Sequence, residues 1–98
     1  MSKTVYISIG NSDDKLTQSE WADFQDYVHN IINDAVVYTD AVVHGRWVSL
    51  PTDPWQNACW CVEYKYEGLS QKDRIAQVAR QFNQDSVAWA EVTETEFI

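Results

Sequence analysis

Apolar and polar positions alternate from Thr4 to Ile9, with Val5, Ile7 and Ile9 on one side and Tyr6 and Ser8 on the other. This predicts a half-buried strand over 4–9. Gly10 and Asn11 end it, and a polar connection, "SDDK", follows. The period then lengthens to three and four: Trp21, Phe24, Val28, Ile31, Ile32 and Ala35 form the apolar stripe of a helix. Its start is marked twice. Thr17 and Glu20 have the spacing of a capping box, and Leu16 stands where it can staple onto Trp21. The helix therefore begins at Gln18. β-branched Val36 and Val37 favour extended backbone, which puts its end near Asp34.

Alternation returns over 42–50, with Val42, His44, Arg46 and Val48 sharing one face and Val43, Gly45, Trp47 and Ser49 the other. Pro51 and Pro54 cannot donate to a sheet, so 51–57 reads as a loop with Trp55 at its tip. A third strand over 58–66 sets Trp60, Val62, Tyr64 and Tyr66 against Cys59, Cys61, Glu63 and Lys65, and Gly68 breaks it. Ser70 caps a second helix, with Asp73 at its third position and Ile75, Val78, Ala79 and Phe82 as its stripe. Asn83 is its stop. A last strand runs over 86–92, with Val87 and Trp89 against Ala88 and Ala90, and the tail "TETEFI" is acidic with an apolar end. The order β-α-β-β-α-β is that of an α+β, ferredoxin-like sandwich, a four-stranded antiparallel sheet with two helices on one face.

The 98 residues correspond to a single domain, 1–98. A net charge of −8 argues against direct binding to nucleic acid or to an anionic membrane, both of which need a basic surface. It suits solubility, or docking on a basic surface. No apolar run approaches the length that spans a bilayer, and the start lacks a signal-peptide pattern, so a cytoplasmic protein is expected. Cys59 and Cys61 point the same way on a strand with Cα atoms roughly 6.6 Å apart, poor geometry for a bridge, and free thiols are expected.

Aromatic residues make up 13% of the chain, with five Trp, more than one small core needs, so some rings are expected to face a partner. The stretch from His44 to Cys61 holds three of the Trp, both Cys and both Pro. Which face of strand 42–50 is buried decides what that stretch can do. Burying Arg46 without a partner is costly, so the expectation is Val43 and Trp47 inward, with His44 and Arg46 on the open face beside Tyr6, Ser8 and the cysteines. The candidate binding residues are then Tyr6, His44, Arg46, Trp55, Gln56 and Asn57.

An exposed ring and a guanidinium suit a protein partner, where Trp, Tyr and Arg are the enriched anchors. They equally suit a nucleotide, stacked on Trp55 and gripped by Arg46. A third reading is a nucleic-acid mimic built on the acidic face Glu20, Asp23, Asp26 and Asp34. No cofactor or metal is expected: His44 with Cys59 and Cys61 lacks the spacing of a zinc site. His29 reads as solvated, and Asp13 and Asp14 as a solvated turn. Catalysis by a Cys would need a His oriented by an acid that the sequence does not identify, so the reading is non-enzymatic. Homodimerisation through the open face or a sheet edge is compatible with this fold.

At "VYISIGNSDDKLTQSEW" (5–21) and at "HGRW" with "PWQNACWCVEY" (44–47 and 54–64) the chain resembles small uncharacterised accessory proteins encoded by phages of actinobacteria. The resemblance covers about a third of the chain and brings no catalytic residues. It implies a non-virion protein made in the cytosol of an infected bacterium. Such a protein would act by binding, either blocking a host or defence protein or sequestering a defence signal.

Overall fold

A computed structural model describes residues 3–11, 16–50, 56–65, 69–84 and 87–92, the side chains of 69 and 70 excepted. The elements are β1 (Lys3–Gly10), α1 (Gln18–Thr39), β2 (Val42–Val48), β3 (Asn57–Tyr64), α2 (Leu69–Gln81) and β4 (Ala88–Glu91). The strands form one antiparallel sheet in the order β2-β3-β1-β4, the expected ferredoxin-like α+β arrangement. The predicted residues 51–55, including Trp55 with Pro51 and Pro54, lie outside the described residues, as do Asp13, Asp14, Tyr66, Gly68, Ser86 and the tail 93–98.

The capping box at the start of α1 is present in both halves. Thr17 Oγ1 accepts from the Glu20 N–H at 3.1 Å, and Glu20 Oε1 accepts from the Thr17 N–H at 3.0 Å. The buried residues of α1 are Trp21, Phe24, Val28, Ile31, Ile32 and Ala35, the stripe its spacing predicts. Leu16 is buried in the same core.

The predicted end near Asp34 is corrected, because α1 continues to Thr39. Val36 packs partly against the core, and that burial outweighs a β-branched helix penalty of about 0.5 kcal/mol. The stop comes from the cap instead. Asp40 turns left-handed at φ 58°, its N–H donates to the Ala35 carbonyl, and Thr39 Oγ1 donates to that carbonyl at 2.7 Å.

At the second helix, α2 begins at Leu69, so Ser70 lies inside it and not at its cap. Asn83 is the stop: it is left-handed at φ 57°, and the Gln84 N–H reaches the Ala79 carbonyl at 2.8 Å. Phe82 stacks on Phe24 with ring centres 5.1 Å apart, which ties the end of α2 to α1.

Val5, Ile7, Trp60 and Val62 are fully buried, and they pair across β1 and β3 as Val5 with Val62 and Ile7 with Trp60. These residues mark the face beneath the helices. Tyr6 with Cys61 and Ser8 with Cys59 mark the other, open face.

The open sheet face as the candidate binding site

What the open face presents is decided in β2. Val43 pairs with Val62, but Gly45, not His44, pairs with Cys61, so His44 is the extra residue of a β-bulge. A bulge reverses the in–out parity of everything after it. Before it, Val43 faces inward and packs on the core, as expected. After it, Arg46 pairs with buried Trp60 and Trp47 pairs with Cys59.

The expected placement of Arg46 is therefore corrected. Its guanidinium lies on the helix side, 5.1 Å from the Trp60 ring centre, with Nη2 3.4 Å from Gln25 Oε1 of α1. The cost expected for turning this group inward does not arise. The side chain remains largely exposed at the sheet margin, where the indole and an amide receive it.

Trp47 is corrected in the opposite sense. It lies on the open face and is 56% exposed. Its ring folds back over Gly45, so close that a Cβ there would meet Trp47 Cη2 at 2.7 Å. Gly45 is the signal that the sequence offers for all of this, since a glycine within a strand marks a bulge or a close approach.

The open face is built of rows of cross-strand neighbours, beginning with Gly10 and Asn57 and continuing in three more. Trp47, Cys59, Ser8 and Ala88 form one, and Gly45, Cys61, Tyr6 and Ala90 the next. Val42, Glu63 and Thr4 form the third. Tyr6 is 42% exposed. A hydrogen bond with Cys61, and then the charge a Cys61 thiolate would set beside it, hold the Tyr6 hydroxyl above its ordinary pKa of 10.0. Both cysteines are free thiols, Cys61 buried and Cys59 half-buried.

His44 reaches the open side, as expected, and its Nε2 lies 3.0 Å from Glu63 Oε1. Lys65 Nζ donates to Glu63 Oε2 at 3.0 Å. Hydrogen bonds from Lys65 first, and then from His44, lower the Glu63 pKa. Glu63 is thus an acid beside His44, which sequence reasoning did not identify. Among the described hydrogen bonds none joins His44 to a thiol.

Of the other described candidates, Asn57 lies on the open face opposite Gly10 and Gln56 does not. Gln56 is 7% exposed, and its amide faces inward. Its Oε1 accepts from Asn11 Nδ2 at 2.9 Å and from Gln18 at 3.1 Å, while its Nε2 donates to Gln18 at 2.7 Å. With the Asn11 N–H donating to the Gln56 carbonyl at 2.8 Å, this network ties the end of β1 to the starts of α1 and β3. Asn57 is exposed, and its N–H donates to Ser49 Oγ at 3.0 Å.

On the acidic face, Asp23 and Asp26 are exposed. Glu20 is engaged in its cap, and Asp34 accepts from Arg74 at 2.9 Å. His29 is not simply solvated: Trp60 Nε1 donates to its Nδ1 at 3.2 Å. Among the described residues no cluster of three or more His, Cys, Asp or Glu has the geometry to hold a metal ion. Nor is any described helix long and apolar enough to cross a membrane.

Comparison with protein-family models and with curated proteins finds no match to this chain.

Proposed function

We propose that this protein is a non-enzymatic binding module and that a protein partner docks on its open sheet face. The observation that carries the reading is the composition of that face. Tyr6 and Trp47 stand exposed, at 42% and 56%, over a floor of small residues: Gly45, Ser8, Cys59, Ala88 and Ala90. Its described charges gather at one corner, where Lys65 pairs with Glu63 and His44 hydrogen-bonds to it, in a chain of net charge −8. Large amphipathic rings around a small, nearly neutral floor suit a protein surface, with Tyr and Trp as anchors.

The resemblance to actinobacterial phage proteins supports taking that partner to be a host or defence protein in a bacterial cytosol. The nucleotide reading rests on Trp55, which lies outside the described residues, together with Arg46; the described exposed rings Tyr6 and Trp47 lie on the opposite side of the sheet from Arg46.

The test is capture from an actinobacterial lysate with wild type, with Tyr6→Ala/Trp47→Ala, and with Arg46→Ala. The expected result is a specific protein retained by wild type and by Arg46→Ala and lost by the double variant. Retention of the same protein by a folded double variant overturns the reading.

A further inference from the structure

Tryptophan rings elsewhere in this fold are seats for cations. Arg46 lies 5.1 Å from the Trp60 ring centre, and Lys72 Nζ lies 5.9 Å from that of Trp89. Trp21 is buried, edge-on to Phe24. Trp47 is the exposed one of the described tryptophans, and among the described residues neither a cation nor a second ring lies on it. The bulge that brings it out turns Arg46, its neighbour in sequence, to the far side of the sheet and onto Trp60.

The way Trp47 lies decides what a partner meets. A Cβ on Gly45 would stand 2.7 Å from Cη2 and 2.9 and 3.3 Å from its ring neighbours Cζ2 and Cζ3. Distances this similar put the face of the ring, not its edge, against Gly45. The other face looks out on the open side, and an aromatic face attracts positive charge. Gly45 shares its row with Cys61 and Tyr6, so the ring reaches into the row of Tyr6, two strand spacings or roughly 10 Å away. Tyr6 is hydrogen-bonded with Cys61, which stands between them, and its hydroxyl oxygen keeps a lone pair for a further donor.

We infer that the open face takes an arginine of its protein partner, with the guanidinium flat on the outer face of Trp47 and an N–H donated to the Tyr6 oxygen. The inference rests on the open-face reading and adds the chemistry of the partner, a basic protein surface. A guanidinium suits the site better than an ammonium, because it is planar, stacks on aromatic faces and is more weakly hydrated. Charge works in the same direction. A chain of −8 draws a cationic surface toward it and disfavours an acidic one. Lys65 is paired with Glu63, in the row next to that of Tyr6, and does not occupy the ring.

The test is titration of the full chain with an oligo-arginine peptide and with the matching oligo-citrulline peptide, which keeps the shape and loses the charge. Binding is followed through the indole N–H resonances of the labelled protein, for wild type and for Trp47→Leu. The expected result is binding of oligo-arginine that moves the Trp47 resonance, and no binding of oligo-citrulline. Trp47→Leu leaves the net charge at −8 and should bind oligo-arginine about tenfold more weakly. Equal affinity for wild type and a folded Trp47→Leu would mean that the acidic surface at large holds the peptide, and overturns the inference. So does a wild-type titration that leaves the Trp47 resonance in place, whether or not the variant folds. The open-face reading fails separately, through retention of the captured protein by Tyr6→Ala/Trp47→Ala.

Discussion

The Arg46 guanidinium sits 5.1 Å from the centre of the buried Trp60 ring, on the face of the sheet that the helices cover. It belongs to the packing of the sheet margin, not to the surface that carries Tyr6 and Trp47. Arg46→Ala should therefore lower stability by about 0.5–1 kcal/mol, the range of an exposed cation–π contact. Urea denaturation reads the loss. A larger effect on partner capture than on stability would contradict the assignment.

Trp60 is fully buried, and its indole N–H has His29 Nδ1 as acceptor at 3.2 Å. His29→Ala leaves that donor buried without its partner, at a cost of about 1–3 kcal/mol. In a double-mutant cycle with Trp60→Phe, the His29 substitution should cost much less once the donor is gone. Additive losses would show that the bond contributes nothing.

Three glutamates should produce an acid limb in the stability profile. Glu20 is held below the ordinary value of 4.5 by the Thr17 backbone N–H, Glu63 by Lys65 and then His44, and Glu91 chiefly by the Trp89 indole. A lowered folded pKa means that the unfolded chain takes up protons first. Stability is then complete well above pH 4.5 and falls as pH drops through the folded values. Melting temperatures recorded at decreasing pH should fall for wild type and fall less for Glu20→Gln/Glu63→Gln/Glu91→Gln. Parallel profiles would assign the acid limb to other groups.

Tyr64 should shape the alkaline limb. Burial pushes its pKa up from 10.0 to about 12, and among the described residues its hydroxyl has no hydrogen-bond partner. A raised folded pKa means that the unfolded chain ionises first, so this contribution is intact below pH 10 and is lost as pH rises toward 12. Tyr64→Phe should be neutral or stabilising at pH 7, since it removes an unsatisfied buried hydroxyl while keeping the ring on Trp89. It should also flatten the alkaline fall. Loss of more than about 1 kcal/mol at neutral pH would mean that the hydroxyl is satisfied.

The element order, the capping box at Thr17 and Glu20, the buried stripe of α1 and the stop at Asn83 were all legible in the chain. Each depends on residues within a turn or two of one another, or on a period that repeats within one element. The end of α1 was not legible, because Val36 stays helical by packing on a core assembled from distant strands. The same holds for Gln56. Its place in the sequence reads as loop, and its partners Asn11 and Gln18 become neighbours only when β1, α1 and β3 are joined.

Local alternation and helical period thus determined the α+β layering, the capping of the first helix and the inward faces of β1 and β3. Tertiary structure decided the makeup of the open face. The parity of a strand can be read only while its residues match its neighbour one for one, and the surplus residue at His44 exists only relative to β3. That single mismatch put Arg46 on the helix side at the sheet margin and Trp47 out on the open face.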